Sequence, residues 1–246
     1  LPILKYIKNL LHGDMGTSFK KRDTTVNELI ANGFPVSARV GAWGVALALA
    51  MGIPLGMVAA VKRGKLPDGI AMVFATIGVS VPSFVVCVLL MYLLCEKWRI
   101  FPSFGLDSWK HYVLPVFCMA FSQIAYITRL MRSSMLESMR QDYIRTERSK
   151  GVPEFQVIGK YALKNSVLPV VTYVGPMVAA LLTGTFIIEK LFSVPGLGRY
   201  FISAINDRDY SVTLGLTVFV GAMIIVCNLV VDILYAVIDP RVKITK

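Results

Sequence analysis

The side chains able to do covalent or metal chemistry are few and scattered. There are two histidines, His12 and His111, far apart in the chain, which leaves little material for a catalytic base or an imidazole metal site. Cys87, Cys95, Cys118 and Cys227 lie in or beside apolar runs without C-x-x-C spacing. They read as small apolar fillers, not as a metal site or a disulfide framework. No G-x-x-x-x-G-K-[ST] phosphate loop occurs, and Gly196-Leu197-Gly198 lacks the third glycine of a dinucleotide fingerprint. No catalytic or metal set is therefore expected, and the chain is not expected to hydrolyse ATP.

What the spacing does support is mechanical. Gln141 to Ile158 reads as a short helix, a break at Gly151, and a second short helix opened by Pro153 with Glu154 complementing its N-terminus. Val152, Phe155 and Ile158 recur on one face, so the elbow carries an apolar stripe fit for a groove on a partner. The plainer alternative is a basic loop resting on anionic headgroups. A second bend is marked by Pro195, Gly196 and Gly198, after which Arg199 to Asn206 reads as a short surface helix leading to Asp207-Arg208-Asp209-Tyr210. Ser80 and Ser83 around Pro82, Gln123 with Ser122 and Thr128, Thr172 with Tyr173, and Asn228 with Asp232 are the polar groups inside apolar runs. They either line a path or hydrogen-bond between helices.

The elements that must position these groups are long and apolar. Hydrophobic residues make up 55% of the 246 positions and charged residues 17%, so lipid is the fitting solvent. Five stretches are long enough to cross a bilayer: Ala38–Val61, Ile70–Leu94, Val113–Met131, Val167–Ile188 and Val212–Ile238. Pro54, Pro82, Pro115, Pro169 and Pro176 mark kinks, and Gly52 with Gly56 forms a G-x-x-x-G step for close helix approach. The net charge of +11 is spread between the apolar runs, not gathered on one face with interleaved aromatics, which argues against nucleic acid.

Orientation follows from where Lys and Arg collect. Lys62, Arg63 and Lys65, then Arg129, Arg132, Arg140, Arg145, Arg148, Lys150, Lys160 and Lys164, and finally Arg241, Lys243 and Lys246 share one side. The other side carries Lys97, Arg99, Lys110, Lys190, Arg199 and Arg208. The richer side is expected to be cytoplasmic. The expected organisation is an external leading segment over 1–37 and a transmembrane domain over 38–246, with a cytoplasmic loop at about 132–166 and an external loop at about 189–211. Leu1 to Leu11 carries Lys5 and Lys8 and so lacks the apolar core of a signal peptide. The chain starts without Met, which suggests an earlier segment.

The run Tyr143-Ile144-Arg145-Thr146-Glu147-Arg148-Ser149-Lys150-Gly151 resembles the cytoplasmic E-A-A-x-x-x-G loop of ABC-importer permeases, in the form of the oligopeptide/dipeptide branch. Arg145, Thr146 and Glu147 stand at the E-A-A positions. The downstream I-x-L-P element is reduced to Tyr161, Leu163 and Lys164, with a proline only at Pro169. Gly13-Asp14-Met15-Gly16-Thr17-Ser18-Phe19 is similar to the segment ahead of the permease core in that branch, and Phe192 to Tyr200 with Asp207 to Tyr210 is similar to its external loop.

The resemblance implies an all-α, polytopic type I ABC-importer transmembrane domain, with five spans here and a sixth ahead of them. It implies a second homologous permease, two ATPase subunits that bind ATP and Mg, and an extracytoplasmic substrate-binding protein. In the family the loop docks on the ATPase, which assigns that contact to Arg145, Thr146, Glu147, Gly151, Val152, Pro153, Glu154 and Phe155. The cargo it implies is peptide, with nickel chelates, glutathione or sugars as further possibilities. An ion-coupled secondary transporter and a non-transporting scaffold are the rival readings; the first calls for inverted repeats and midplane ionisable residues, which the sequence does not display.

Overall fold

The computed structural model describes residues 2–21 and 23–238. Among them the chain is helical throughout, with a single isolated bridge between Thr17 and Thr25. A short helix α1 (Pro2–Leu11) precedes the long α2 (Val26–Val61), and then come α3 (Leu66–Ser80) and α4 (Ser83–Leu90), the last continuing as π-helix over Met91–Lys97. Next is α5 (Trp109–Ser138), followed by the short α6 (Asp142–Ser149). A second short run joins α7 (Glu154–Gln156), a π-helical stretch Val157–Ala162 and α8 (Leu163–Ser166). The chain closes with α9 (Leu168–Leu182), α10 (Phe186–Leu191), α11 (Leu197–Asn206) and α12 (Tyr210–Ile238). Arg22, Arg241, Lys243, Lys246 and the side chain of Asp232 lie outside the described residues.

Four helices are long and apolar enough to cross a bilayer, and the pair α3 and α4 supplies a fifth crossing bent by 105°. The kink expected at Pro82 within Ile70–Leu94 is thus a full break of the span. The cause is local: Val81 precedes Pro82 and takes an extended conformation, φ −88° and ψ 126°, because the proline ring excludes the helical region for the residue before it. Its two ends nonetheless reach opposite ends of the bundle. Asp68 at the start of α3 makes a paired contact with Arg132 near the end of α5, at 2.6 and 2.8 Å, while Cys95 packs with Leu114 near the α5 start.

The first span begins at Val26, earlier than the hydropathy start at Ala38, because Thr25 and Glu28 form a reciprocal cap. Thr25 Oγ1 accepts the Glu28 N–H and Glu28 Oε2 accepts the Thr25 N–H, both at 3.1 Å. The fourth crossing is interrupted at Gly184, whose φ of +85° ends the α9 geometry before α10 resumes.

Helix association in lipid depends on close packing, and α2 supplies it through glycine. A Cβ on Gly52 would stand 2.8 Å from the Ile127 Cβ, and one on Gly56 2.6 Å from the Met131 Cβ, both on α5. Gly41 meets α9 just as closely, 2.1 Å from the Leu181 carbonyl oxygen. Around these contacts lie Ile124, Ile127, Met131 and Met135 of α5 with Met177 and Leu181 of α9, all buried. A second cluster gathers Cys87, Cys95, Cys118, Ile188, Phe192 and Val194 at the opposite end.

The leading segment folds back onto that opposite end and is held by Asp209. This residue caps α12 by accepting the Val212 N–H at 3.3 Å, and it accepts the Phe19 N–H at 3.2 Å and the Ser18 hydroxyl. Burial raises the Asp209 carboxyl, but these donors outweigh it and hold it below its usual range. The latch is thus intact above about pH 4 and is lost only as the pH falls through the lowered folded value.

Gly56→Leu is expected to cost about 1–3 kcal/mol by overpacking against Met131 and to lower the thermal midpoint in detergent. Gly221→Leu, at a site with no neighbour within 4 Å, should leave the midpoint unchanged, and equal shifts in both variants would contradict the packing account. Asp209→Ala should cost about 2 kcal/mol through the lost cap and charge-assisted bonds. Its expected signature is rapid tryptic cleavage at Lys20 and Lys21, and a digestion rate equal to the native chain's would count against the latch.

Candidate functional site

The elbow is a folded device. Helix α6 ends in a Schellman motif: Val152 donates its N–H to the Glu147 carbonyl at 3.3 Å and Gly151 donates to Arg148 at 3.0 Å. Gly151 occupies the left-handed position with φ +77°, and no atom would crowd a Cβ there, so backbone conformation alone requires glycine. Pro153 then stands at the N-cap of α7, one position before the first-turn site expected of it.

Two different forces fix the elbow's shape and its place. Across the bend, Arg148 grips Glu154 with both oxygens, Nη2 to Oε1 at 2.6 Å and Nε to Oε2 at 3.1 Å. These hydrogen bonds hold the Glu154 carboxyl below its usual range and raise the Arg148 guanidinium. Lys150 pairs with Glu147 at 2.7 Å and is raised by that bond, and Arg145 lies 3.6 Å from Asp142. All three pairs are at the surface, where each is worth little, so they shape the elbow more than they stabilise it.

Its anchorage is apolar. Ile144 of α6 and Val157 of the second run are fully buried in the same cluster as Met131 and Met135 of α5. Val152 and Ile158 also pack against that cluster, whereas Phe155 is 73% exposed. The single apolar stripe expected over Val152, Phe155 and Ile158 is thereby corrected. Val152 lies in the non-helical link before α7 and Ile158 in the π-helical turn after it, so these two face the bundle and the aromatic ring stands out alone. Arg145, Thr146, Pro153 and Glu154 share that outward exposure. Thr146 Oγ1 bonds back to its own helix, donating to the Asp142 carbonyl at 3.0 Å.

At the far end the second bend separates into an inner and an outer set. Gly196, Gly198 and Asp209 are buried, while Pro195, Arg199 and Asp207 are exposed. The inner set closes on Glu189, a residue of α10 only 1% exposed. Its Oε2 accepts the Gly198 N–H at 2.8 Å at the start of α11, and Ser37 Oγ of α2 accepts the neighbouring Leu197 N–H at 2.8 Å. A Cβ on Gly196 would stand 2.3 Å from that Glu189 oxygen, so glycine is what admits the carboxylate. Glu189 and Ser37 escape a reading by composition. The one available signal is an acid inside the apolar run Phe186-Ile187-Ile188-Glu189.

Within the bundle Tyr173 donates its hydroxyl hydrogen to Gln123 Oε1 at 2.5 Å and stacks on Tyr126 with ring centroids 4.3 Å apart. Gln123 and Tyr173, proposed from sequence separately, are thus one group, and Tyr126 joins them. Thr172 is exposed beside them but satisfies itself on the Leu168 carbonyl at 3.2 Å. Ser80 and Ser83 flank the Pro82 break and belong to a different helix pair. Thr128 bonds to its own helix at the Ile124 carbonyl, 2.7 Å, in the buried seam with α2.

Known proteins share this arrangement. The Dipeptide transport system permease protein DppB of Bacillus subtilis is 42% identical over 241 residues, covering 98% of this chain and 78% of that protein. The Oligopeptide transport system permease protein OppB of Salmonella typhimurium is 42% identical over 240 residues, 97% of this chain and 78% of that one. In fold, the chain matches one of the inward-facing MetNI methionine ABC transporter with a TM-score of 0.69 at 16% identity, over 86% of this chain and 96% of the other. A second match is to an amino acid ABC transporter, TM-score 0.64 at 15% identity, over 88% and 95%. Residues 52–244 match the family described as binding-protein-dependent transport system inner membrane component, and this multi-pass membrane chain belongs to that family.

Proposed function

We propose that this chain is one of two permease subunits lining the path of an ATP-driven importer of peptides. The family relation and the names of its 42% identical relatives support that cargo class, with dipeptides and oligopeptides foremost. ATP and Mg belong to two separate ATPase subunits, and a binding protein delivers cargo at the end opposite the elbow. Family membership displaces the ion-coupled transporter and the membrane scaffold as readings of the sequence.

The observation that carries the mechanism is the elbow's double attachment. Ile144 and Val157 bury it in the core of α5 and α9, so the elbow and the spans must move together. Phe155 projects outward as an apolar plug, framed by Arg145, Thr146, Glu147, Gly151, Val152, Pro153 and Glu154. Closure of the ATPase pair on ATP pushes this lever, and the packed helices pass between two discrete arrangements. Gln123, Tyr126, Thr172 and Tyr173 supply polar groups to the path, with Ser80 and Ser83 at the Pro82 break. At the far end, Pro195, Arg199 and Asp207 form the outward surface for the binding protein, seated on the Glu189 cradle and the Asp209 latch.

Phe155→Asp is expected to lower ATPase recovery in a pull-down of the intact complex at least tenfold, and an unchanged yield would refute the plug. Gly151→Pro cannot reach a φ of +77° and removes the N–H bonded to Arg148. The expected outcome is continued ATP hydrolysis with peptide uptake lost from vesicles, membrane insertion being normal. Uptake at the native rate would sink the lever.

A further inference from the structure

On α5 the polarity of the free surface is inverted relative to a lipid-facing helix. Between His111 and Ser138 its exposed positions are Tyr126, Arg129, Ser133 and Glu137, recurring every three or four residues along one stripe. The large apolar side chains exposed on α12 include Ile224, Ile225, Val226, Leu229 and Val230, as befits lipid. Chains of α5 residues on its other side, Ile124, Ile127 and Met131, are buried against α2. The polar stripe therefore lies along the free side of α5, next to α3 and α9, which both pack on that helix, and its composition does not suit lipid.

Arg129 is the unusual member of the stripe. It lies nine residues before the end of α5, about 14 Å along the helix axis from that end. It stands on the elbow side of the span, and an arginine at that depth calls for a partner, a headgroup or water. Arg132, one turn further on, has one in Asp68. Among the described residues no carboxylate pairs with Arg129. Beside it is a cavity of about 480 Å³, bounded by Met72 and Val79 of α3 and by Tyr126, Arg129, Leu130, Ser133 and the Asp68-paired Arg132 of α5. One turn toward the middle of the helix, Tyr173 and Tyr126 stack, and the Gln123 carbonyl oxygen is taken by Tyr173. The Tyr126 hydroxyl and the Gln123 amide nitrogen have no protein partner among the described residues. The groove thus offers unpaired donors, aromatic faces and the unpaired guanidinium of Arg129 beside the Arg132–Asp68 pair.

We infer that Arg129 receives the terminal carboxylate of the cargo, with Tyr126 and the Gln123 amide meeting its backbone, so that the permease itself discriminates for peptides with a free C-terminus. The guanidinium suits this role because its planar donors meet a carboxylate at two points. The cavity admits a few residues of extended chain, and its walls, Met72 and Val79, are apolar and tolerant of side-chain identity. Selection by main-chain charge with loose side-chain contact fits a transporter for many sequences. This inference rests on the peptide-importer reading above.

The test uses the assembled transporter in vesicles, with trialanine and its C-terminal amide as probes and the same binding protein throughout. The native complex should take up the free acid at least tenfold faster than the amide at low concentration. In Arg129→Gln that ratio should fall close to one through a higher KM for the acid, and Arg129→Lys should restore part of it. An acid-to-amide ratio in Arg129→Gln equal to the native value overturns the inference. So does an equal loss for both probes, which would mark Arg129 as an anchor for lipid phosphate or for a neighbouring subunit. A native complex with no preference overturns it as well. Failure of the importer reading looks different: the native vesicles would accumulate neither probe.

Discussion

Apolar helices immersed in lipid gain little from hiding their surface, so close backbone approach must do what hydrophobic burial does in water. Here that approach is made by α2 against α5, where Gly52 and Gly56 leave no room for a Cβ beside Ile127 and Met131. The rest depends on this seam. It sets which side of α5 is buried, and therefore which side carries Gln123, Tyr126, Arg129 and Ser133. It also brings Met131 and Met135 to the place where Ile144 and Val157 insert. One helix thereby holds the elbow at its end and the polar groove along its free side, and neither can shift without the other.

Much of this was legible in the chain. The elbow could be read because its signals are local: a glycine at the helix end, a proline two residues on, and an acid in the next turn. Four of the five spans were legible from hydropathy, and the G-x-x-x-G step proved to be a real contact. What stayed hidden depends on distance or direction. Pro82 marked a kink, but hydropathy runs on through both apolar halves and gave no sign that the bend reaches 105°. Glu189 meets Gly198 only because the chain turns back at Pro195, and Asp209 meets Ser18 across nearly the full sequence. The shared face of Val152, Phe155 and Ile158 failed because it assumed one helical period, whereas Val152 lies outside α7 and a π-helical turn begins at Val157.

The two ends of the bundle are built on different physics. Opposite the elbow, buried carboxylates do the fastening: Glu189 on the N-terminus of α11, and Asp209 on α12 and the folded-back segment. Asp209 accepts two N–H groups and a hydroxyl, and a buried carboxylate so held has few alternative arrangements, since displacement leaves it desolvated without donors. That end is correspondingly stiff in its internal geometry. The elbow has solvent-exposed ion pairs outside and an apolar anchor inside.

This difference bears on how motion can be shared along the chain. An exposed pair such as Arg148 with Glu154 can loosen at small cost because water replaces each partner, while Ile144 and Val157 cannot leave their sites without opening a cavity worth several kcal/mol. Force applied to the elbow's outer face is therefore absorbed least by the anchor and passes into α5 and α9. Those two helices meet the far end through α10, where the Glu189 cradle resists deformation. Between a driven end and a stiff end, the compliant places are the interruptions: Gly184 in the fourth crossing and the 105° break at Pro82 in the bent pair. On the proposed reading these breaks are where the bundle changes shape.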